Sequence, residues 1–335
     1  MKRYWIFLLC ALTLPFGLLR AQTTIEHTIV RLDPSLDAIV APDAELEKLI
    51  ERNSSFEGPT WFHDGNTGYF IFSDVPGNVI YKVEQDGKIS VFLDHLFTGK
   101  DNSDAVLALG QNYYMLGANG TTLDRQGRLV YCEYSDGQIV RLEKDGRRTV
   151  LAGRFDGKRL NGTNDLVYKS DGSLYFTDSR ESTKRSDGEG VPHKGLYLLK
   201  DGKVQLLTKD ISHPNGLAFT PDEKYFYANN TDLKTIMKYE VQPDDTVANP
   251  KVFIDMSDDK APGAPDGMKV DKKGNVYSTG PGGVWIISPT GKHLGTILTP
   301  RATNMTFGGD DAKTLYITGA SFVARIPLKA VGIRP

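Results

Sequence analysis

Short runs of alternating apolar and polar residues, broken by Gly and Asp, fill the chain beyond its N-terminal segment, and they recur in a recognisable form. Gly68-Tyr69-Phe70-Ile71-Phe72, Gly127-Arg128-Leu129-Val130-Tyr131 and Gly172-Ser173-Leu174-Tyr175-Phe176 align with Lys224-Tyr225-Phe226-Tyr227-Ala228, Gly274-Asn275-Val276-Tyr277-Ser278 and Lys313-Thr314-Leu315-Tyr316-Ile317. Period-two alternation of this kind marks strands with one face turned to a core. Most are followed by a second alternating run, such as Val79-Ile80-Tyr81-Lys82-Val83, and then by Asp86-Gly87, Asp145-Gly146 or Asp201-Gly202. These pairs suit tight hairpins because both residues tolerate positive φ. A hairpin unit repeating every 40 to 60 residues or so is the signature of propeller blades. Six units predict an all-β, six-bladed β-propeller, and a β-sandwich with accidental internal similarity is the competing architecture. One stretch reads as helix: Asp43 to Ile50, with Asp43 as cap and Leu46, Leu49 and Ile50 on one face.

The N-terminus adds a targeting signal. Met1-Lys2-Arg3, an apolar run from Ile6 to Leu19 and then Ala21-Gln22 have the layout of a secretory signal peptide. The expected organisation is therefore a leader over residues 1–21 and one propeller domain over 22–335, exported to the periplasm or secreted. Pro15 and Gly17 interrupt the run, which is short for a hydrocarbon core of about 30 Å, so stable membrane insertion after cleavage is not expected. Cleavage would leave Cys132 without a partner for an internal disulfide. Lys and Arg total 40 against 42 Asp and Glu, a net charge of −2, so no strong field favours nucleic acid.

Candidate chemistry lies at the start of each repeat. Glu57-Gly58, Asn119-Gly120, Asn164-Asp165, Asn215-Gly216, Asp266-Gly267 and Asn304-Met305 each precede an apolar alternation. The innermost strand of each blade lines the propeller axis, so residues of equal rank form a ring around the channel. Glycine after several of them leaves room for close approach. Taken singly, such pairs are ordinary turn residues; their shared rank is what turn chemistry does not explain. The ring offers oxygen donors alone, without sulfur or imidazole, which suits calcium better than zinc, with magnesium as the alternative. Glu57 and Asp266 supply two carboxylates to balance a divalent charge.

These residues resemble the regucalcin/gluconolactonase family of calcium-dependent six-bladed propellers, which open sugar lactones and whose relatives, such as diisopropylfluorophosphatase, hydrolyse organophosphates. The resemblance runs from about Leu32 to the C-terminus through Phe56-Glu57-Gly58-Pro59-Thr60-Trp61, Gly157-Lys158-Arg159-Leu160-Asn161, Tyr175-Phe176-Thr177-Asp178, Pro214-Asn215-Gly216, Pro265-Asp266-Gly267-Met268 and Phe307-Gly308-Gly309. It implies Glu57, Asn164, Asn215 and Asp266 as ligands of one divalent metal, all four of them members of the ring. The chain departs from the family pattern at Cys132-Glu133-Tyr134-Ser135-Asp136-Gly137-Gln138 and at Phe176-Thr177-Asp178-Ser179-Arg180-Glu181-Ser182. A sugar lactone is therefore not assumed.

The expected activity is metal-assisted hydrolysis of a small lactone or related ester. The metal would polarise the carbonyl, and Asp266 would act as base or nucleophile. Asn119, Asn304, Tyr134 and Arg180 are the candidate substrate contacts, and Asp165 the buttress of the Asn164 loop. Tyr134, Arg180 and His193 fall in loops that could approach the channel mouth, with Arg180 and His193 reading first as solvated loop residues; Trp61 and Trp285 read as blade packing, while His213 could face the site. Two other readings stay open: an organophosphate or phosphotriester hydrolase at the same metal, and a ligand-binding propeller with a purely structural metal.

Overall fold

The computed structural model describes residues 28–64, 67–97, 106–107, 114–180, 188–299 and 301–334. The leader expected over residues 1–21 lies outside them, as do Glu181 and Ser182. Six antiparallel sheets form the six blades of a β-propeller. Blade 1 comprises Phe56–Asp64, Thr67–Asp74, Val79–Val83 and Ile89–Asp94; blade 2 comprises Ala118–Leu123, Leu129–Glu133, Gln138–Leu142 and Arg148–Ala152. Blade 3 runs through Thr163–Tyr168, Leu174–Asp178, Gly195–Lys200 and Lys203–Thr208, and blade 4 through Pro214–Phe219, Tyr225–Asn230, Thr235–Val241 and Val247–Asp255. Blade 5 has Met268–Val270, Val276–Gly280, Gly283–Ile287 and His293–Leu298, and blade 6 has Ala302–Gly308, Thr314–Gly319 and Phe322–Pro327. Each blade's first strand packs on that of the next, and the sixth returns to the first, so the disc is closed.

The N-terminal region completes the last two blades. Ile29–Arg31 adds an outer strand to blade 5, pairing Ile29 with Ile297. Glu47–Glu51 becomes the outermost strand of blade 6, pairing Glu47 with Arg325 and Glu51 with Phe322. This corrects the helix expected over Asp43 to Ile50. Leu46, Leu49 and Ile50 do share a helical face, but the exposed edge of Phe322–Pro327 offers a ladder that a lone helical turn cannot match. The Glu47–Arg325 pair, at 2.7 Å, reinforces the register. Among the described residues the one helical element is a 3-10 turn, Pro34–Ala38, capped by Asp33.

Hydrophobic packing follows from the repeated strands. Six apolar clusters fill the six junctions between neighbouring blades. Aromatic side chains from the second strands bridge them. Phe70 of blade 1 stacks on Tyr316 of blade 6 at 4.6 Å, and Tyr175 meets Phe226 of blade 4 at 5.2 Å. Burial of this kind contributes roughly 25 cal/mol per Å² of apolar surface, and here it locks blade to blade rather than filling one central core. The axis is left to polar groups.

Candidate active site on the propeller axis

A backbone irregularity turns the ring residues toward the axis. The pairing between first and second strands slips at Glu57–Thr60, at Thr163–Leu166, at Pro214–Leu217 and at Ala302–Asn304, and in blade 2 between Tyr131 and Glu133, opposite Asn119. In each case the slip coincides with the ring position. A bulge frees a residue from the ladder and re-aims its side chain, which is why such irregularities collect beside active sites. Asp266 stands just before the first strand of blade 5, with its N–H donating to Thr279 Oγ1 at 2.7 Å.

Glycine permits the close approach of neighbouring blades. A Cβ on Gly58, whose φ is +49°, would lie 2.1 Å from the Asn119 carbonyl, and one on Gly216 would lie 2.0 Å from the Asp266 carbonyl. Blade 3 carries Asp165 at the corresponding rank, which adds a third carboxylate to the channel.

The convergence is direct. Asn304 Nδ2 of blade 6 donates to Glu57 Oε2 of blade 1 and to Asp165 Oδ2 of blade 3, both at 3.3 Å. Blades 3 and 6 face each other across the disc, so this amide spans the channel. The remaining bonds fix its orientation: Met305 N–H donates to Asn304 Oδ1 at 2.8 Å and Leu166 N–H to Asp165 Oδ1 at 2.9 Å. Asn215 hydrogen-bonds the Asp266 carboxylate, and its Nδ2 also lies 3.4 Å from Thr231 Oγ1.

Three carboxyl groups held so close resist ionisation together. Burial, then the charges of Asp266 and Asp165, push Glu57 well above the usual carboxylate range. Burial and the Asp165 charge push Asp266 up to about 8, against the hydrogen bond from Asn215. Asp165 is raised by burial and pulled back by Lys269.

The donor set fits a hard cation. Glu57, Asn119, Asn164, Asn215 and Asn304 are buried, and Asp266 keeps partial contact with the channel. Asn119 Oδ1 and Asn215 Oδ1 are buried acceptors without a hydrogen-bond donor. Unpaired acceptor oxygens and mutually repelling carboxylates are both relieved by a cation. Among the described residues no three His, Cys, Asp or Glu side chains form a metal cluster by themselves. Any cation here must therefore rest on the amides as well, as the sequence ring proposes.

The mouth residues separate into two groups. Arg180 is 3% exposed, so it is a buried guanidinium rather than a solvated loop residue. It acts on Tyr134, whose phenol is raised to about 12 by burial, is held by Ser179 and feels the charge of Asp266. Both thus belong to the site's surroundings. His193 instead packs on Tyr197 and Phe155, and His213 pairs with Asp232 at 3.1 Å. Trp61 stacks on Tyr316 and Trp285 on His293, within the blades as expected.

A second ring escapes the sequence reading. Ser73, Cys132, Thr177, Asn229, Thr279 and Thr318 hold equal rank on the second strands, and all are fully buried. Ser73 Oγ donates to the Asn119 carbonyl and Thr177 Oγ1 to the Asn215 carbonyl, both at 3.0 Å, while Asn229 Nδ2 donates to the Asp266 carbonyl. These bonds tie each ring backbone to the preceding blade. The signal was available as a small polar residue in the middle of an apolar strand, such as Phe72-Ser73-Asp74 and Phe176-Thr177-Asp178.

The model of the SMP-30/gluconolactonase/LRE-like region matches residues 56–321, from the first ring carboxylate to the last blade. The chain belongs to this family. A gluconolactonase of Zymomonas mobilis is 30% identical over 318 residues, covering 91% of this chain and 87% of that protein. A solved gluconolactonase from Xanthomonas campestris superposes with a TM-score of 0.74 at 31% identity, over 90% of this chain and 94% of the other. A calcium-binding regucalcin of Agrobacterium tumefaciens shares the fold, with a TM-score of 0.67 at 20% identity over 87% of this chain and 97% of that one.

Proposed function

We propose that the axial site hydrolyses a lactone and holds one divalent cation, calcium by the chemistry of its donors, through Glu57, Asn164, Asn215 and Asp266. The observation that carries this reading is the meeting of Glu57, Asp165 and Asn304 from three separate blades on the channel axis, beside the unpaired acceptors Asn119 Oδ1 and Asn215 Oδ1. Lactonase relatives that span most of the chain support the ester chemistry. When bound, the cation would supply Lewis-acid polarisation of the ester carbonyl and keep Glu57 and Asp266 ionised.

The residues of the chain do the rest. Asp266 takes a proton from water at a carboxylate oxygen as the water adds to the carbonyl carbon, and returns it to the ring oxygen as the C–O bond breaks. Lactone and water thus become one hydroxy acid. Asn304, itself held by Asp165, holds Glu57 in place, and Asn215 orients the Asp266 carboxylate. Tyr134 and Arg180 form the wall against which the substrate is positioned, where this chain departs from its family. Export after removal of residues 1–21 belongs to the same proposal, and N-terminal sequencing of the mature protein checks it.

Purified mature protein is assayed against lactones of several ring sizes, with chelator and with calcium restored. The expected result is hydrolysis lost to chelator and recovered with calcium, and absent in Asp266→Asn. Equal turnover by Asp266→Asn would place the chemistry elsewhere.

A further inference from the structure

The channel continues below the carboxylates. Two residues past the ring and beyond, the first strands enclose a cavity of about 120 Å³ to which all six blades contribute. Its composition is more apolar than the ring's. Leu166, Leu217, Phe219 and Val270 give it apolar walls between threonine side chains, and Lys269 lies among them.

Charge in this cavity is positive where it is free to act. The Lys269 ammonium makes one hydrogen bond, to the Met268 carbonyl at 3.0 Å, and no ion pair among the described residues. An ammonium has three donors, so two remain. Its field reaches up the channel to Asp165. The one carboxylate of the wall, Glu223, is turned to Ser170, accepting from its N–H at 2.7 Å and its Oγ at 2.6 Å. Arg334 bonds His63 and the Gly309 carbonyl through its terminal nitrogens, and its buried Nε has no acceptor.

We infer that this cavity is a second ligand site, for a short aliphatic carboxylate. Lys269 takes the carboxylate, and the tail lies against the apolar walls. A cavity of about 150 Å³ accommodates benzene, so a chain of roughly four to six carbons matches the space. A polyhydroxylated acid would set most of its hydroxyls against Leu217, Phe219 and Val270, with only wall threonines to pair them, and is disfavoured. The site differs from the axial centre in kind, since its free charge is the Lys269 ammonium rather than carboxyl groups. It stands independently of the hydrolytic reading.

The test is calorimetric titration of the full mature chain in chelator with hexanoate, hexanamide and gluconate. Expected is saturable binding of one hexanoate per chain, with hexanamide and gluconate at least tenfold weaker. Lys269→Met should weaken hexanoate at least tenfold, and Lys269→Arg should retain it, each with an unchanged melting temperature in the absence of ligand. Crystals soaked with 6-bromohexanoate should place bromine between Leu217 and Val270. Failure of hexanoate to bind, equal binding by Lys269→Met, or bromine anywhere else overturns the inference.

Discussion

Cation binding to this site must expel protons, and the amount follows from the carboxyl groups. In the cation-free protein Asp266 is raised from 3.8 to about 8, and Glu57 also lies well above its ordinary range. Asp266 therefore carries a proton at pH 6, and Glu57 is shifted in the same direction. A cation requires them ionised, so each coupled proton weakens binding tenfold per unit of pH below the carboxyl's pKa. The Asp266 proton alone should raise the Kd for calcium about 10-fold between pH 7 and pH 6, or roughly 1.4 kcal/mol, and a proton on Glu57 adds to this. Calorimetry in two buffers of different ionisation enthalpy counts the protons directly. The same linkage fixes the sign for stability. The unfolded chain loses the Asp266 proton near pH 4 and the folded chain near pH 8, so cation-free stability is greatest below pH 4 in this respect and declines as pH rises to 8. Saturating calcium should flatten that decline. A Kd equal at pH 6 and pH 7, with no proton released, would refute the reasoning.

Other outcomes follow from the same geometry. Glu57→Gln removes one of the crowded carboxylates, so at pH 8 its cation-free form should melt a few degrees above the parent, while calcium no longer raises its melting temperature and lactone turnover falls at least about a hundredfold. Gly216→Ala drives a Cβ into the Asp266 carbonyl and should cost about 2 to 4 kcal/mol in urea unfolding, with loss of calcium affinity. Ile50→Asp sets a charge against the cluster of Trp61, Phe70 and Val323 where the N-terminal strand closes blade 6, and should lower stability by about 1 to 3 kcal/mol without moving the calcium Kd of the folded fraction.

The parts of this structure legible in the sequence are those that repeat. Tyr-containing second strands recur at the blade period, and the ring residues stand at equal rank near the starts of the first strands, so the fold and the shared position of the ring could both be read from spacing. What stayed hidden depends on contacts between distant segments. Leu49 and Ile50 lie in a strand because Val323 is beside them, and no local pattern announces a partner so far along the chain. Asp165 reaches Asn304 across the disc because it occupies a rank that glycine holds in blades 1, 2, 4 and 5, which spacing alone does not turn into a hydrogen bond. Arg180 reads as a loop residue in sequence, yet the folded loops bury it beside Tyr134.

Four blades must deliver oxygen donors to one cation on the axis, and crystals grown with millimolar calcium test that most directly. One anomalous peak is predicted in the channel, bound by side-chain oxygens of Glu57, Asn164, Asn215 and Asp266. An empty axis at saturating calcium, or a cation bound only at the rim of the disc, would contradict it.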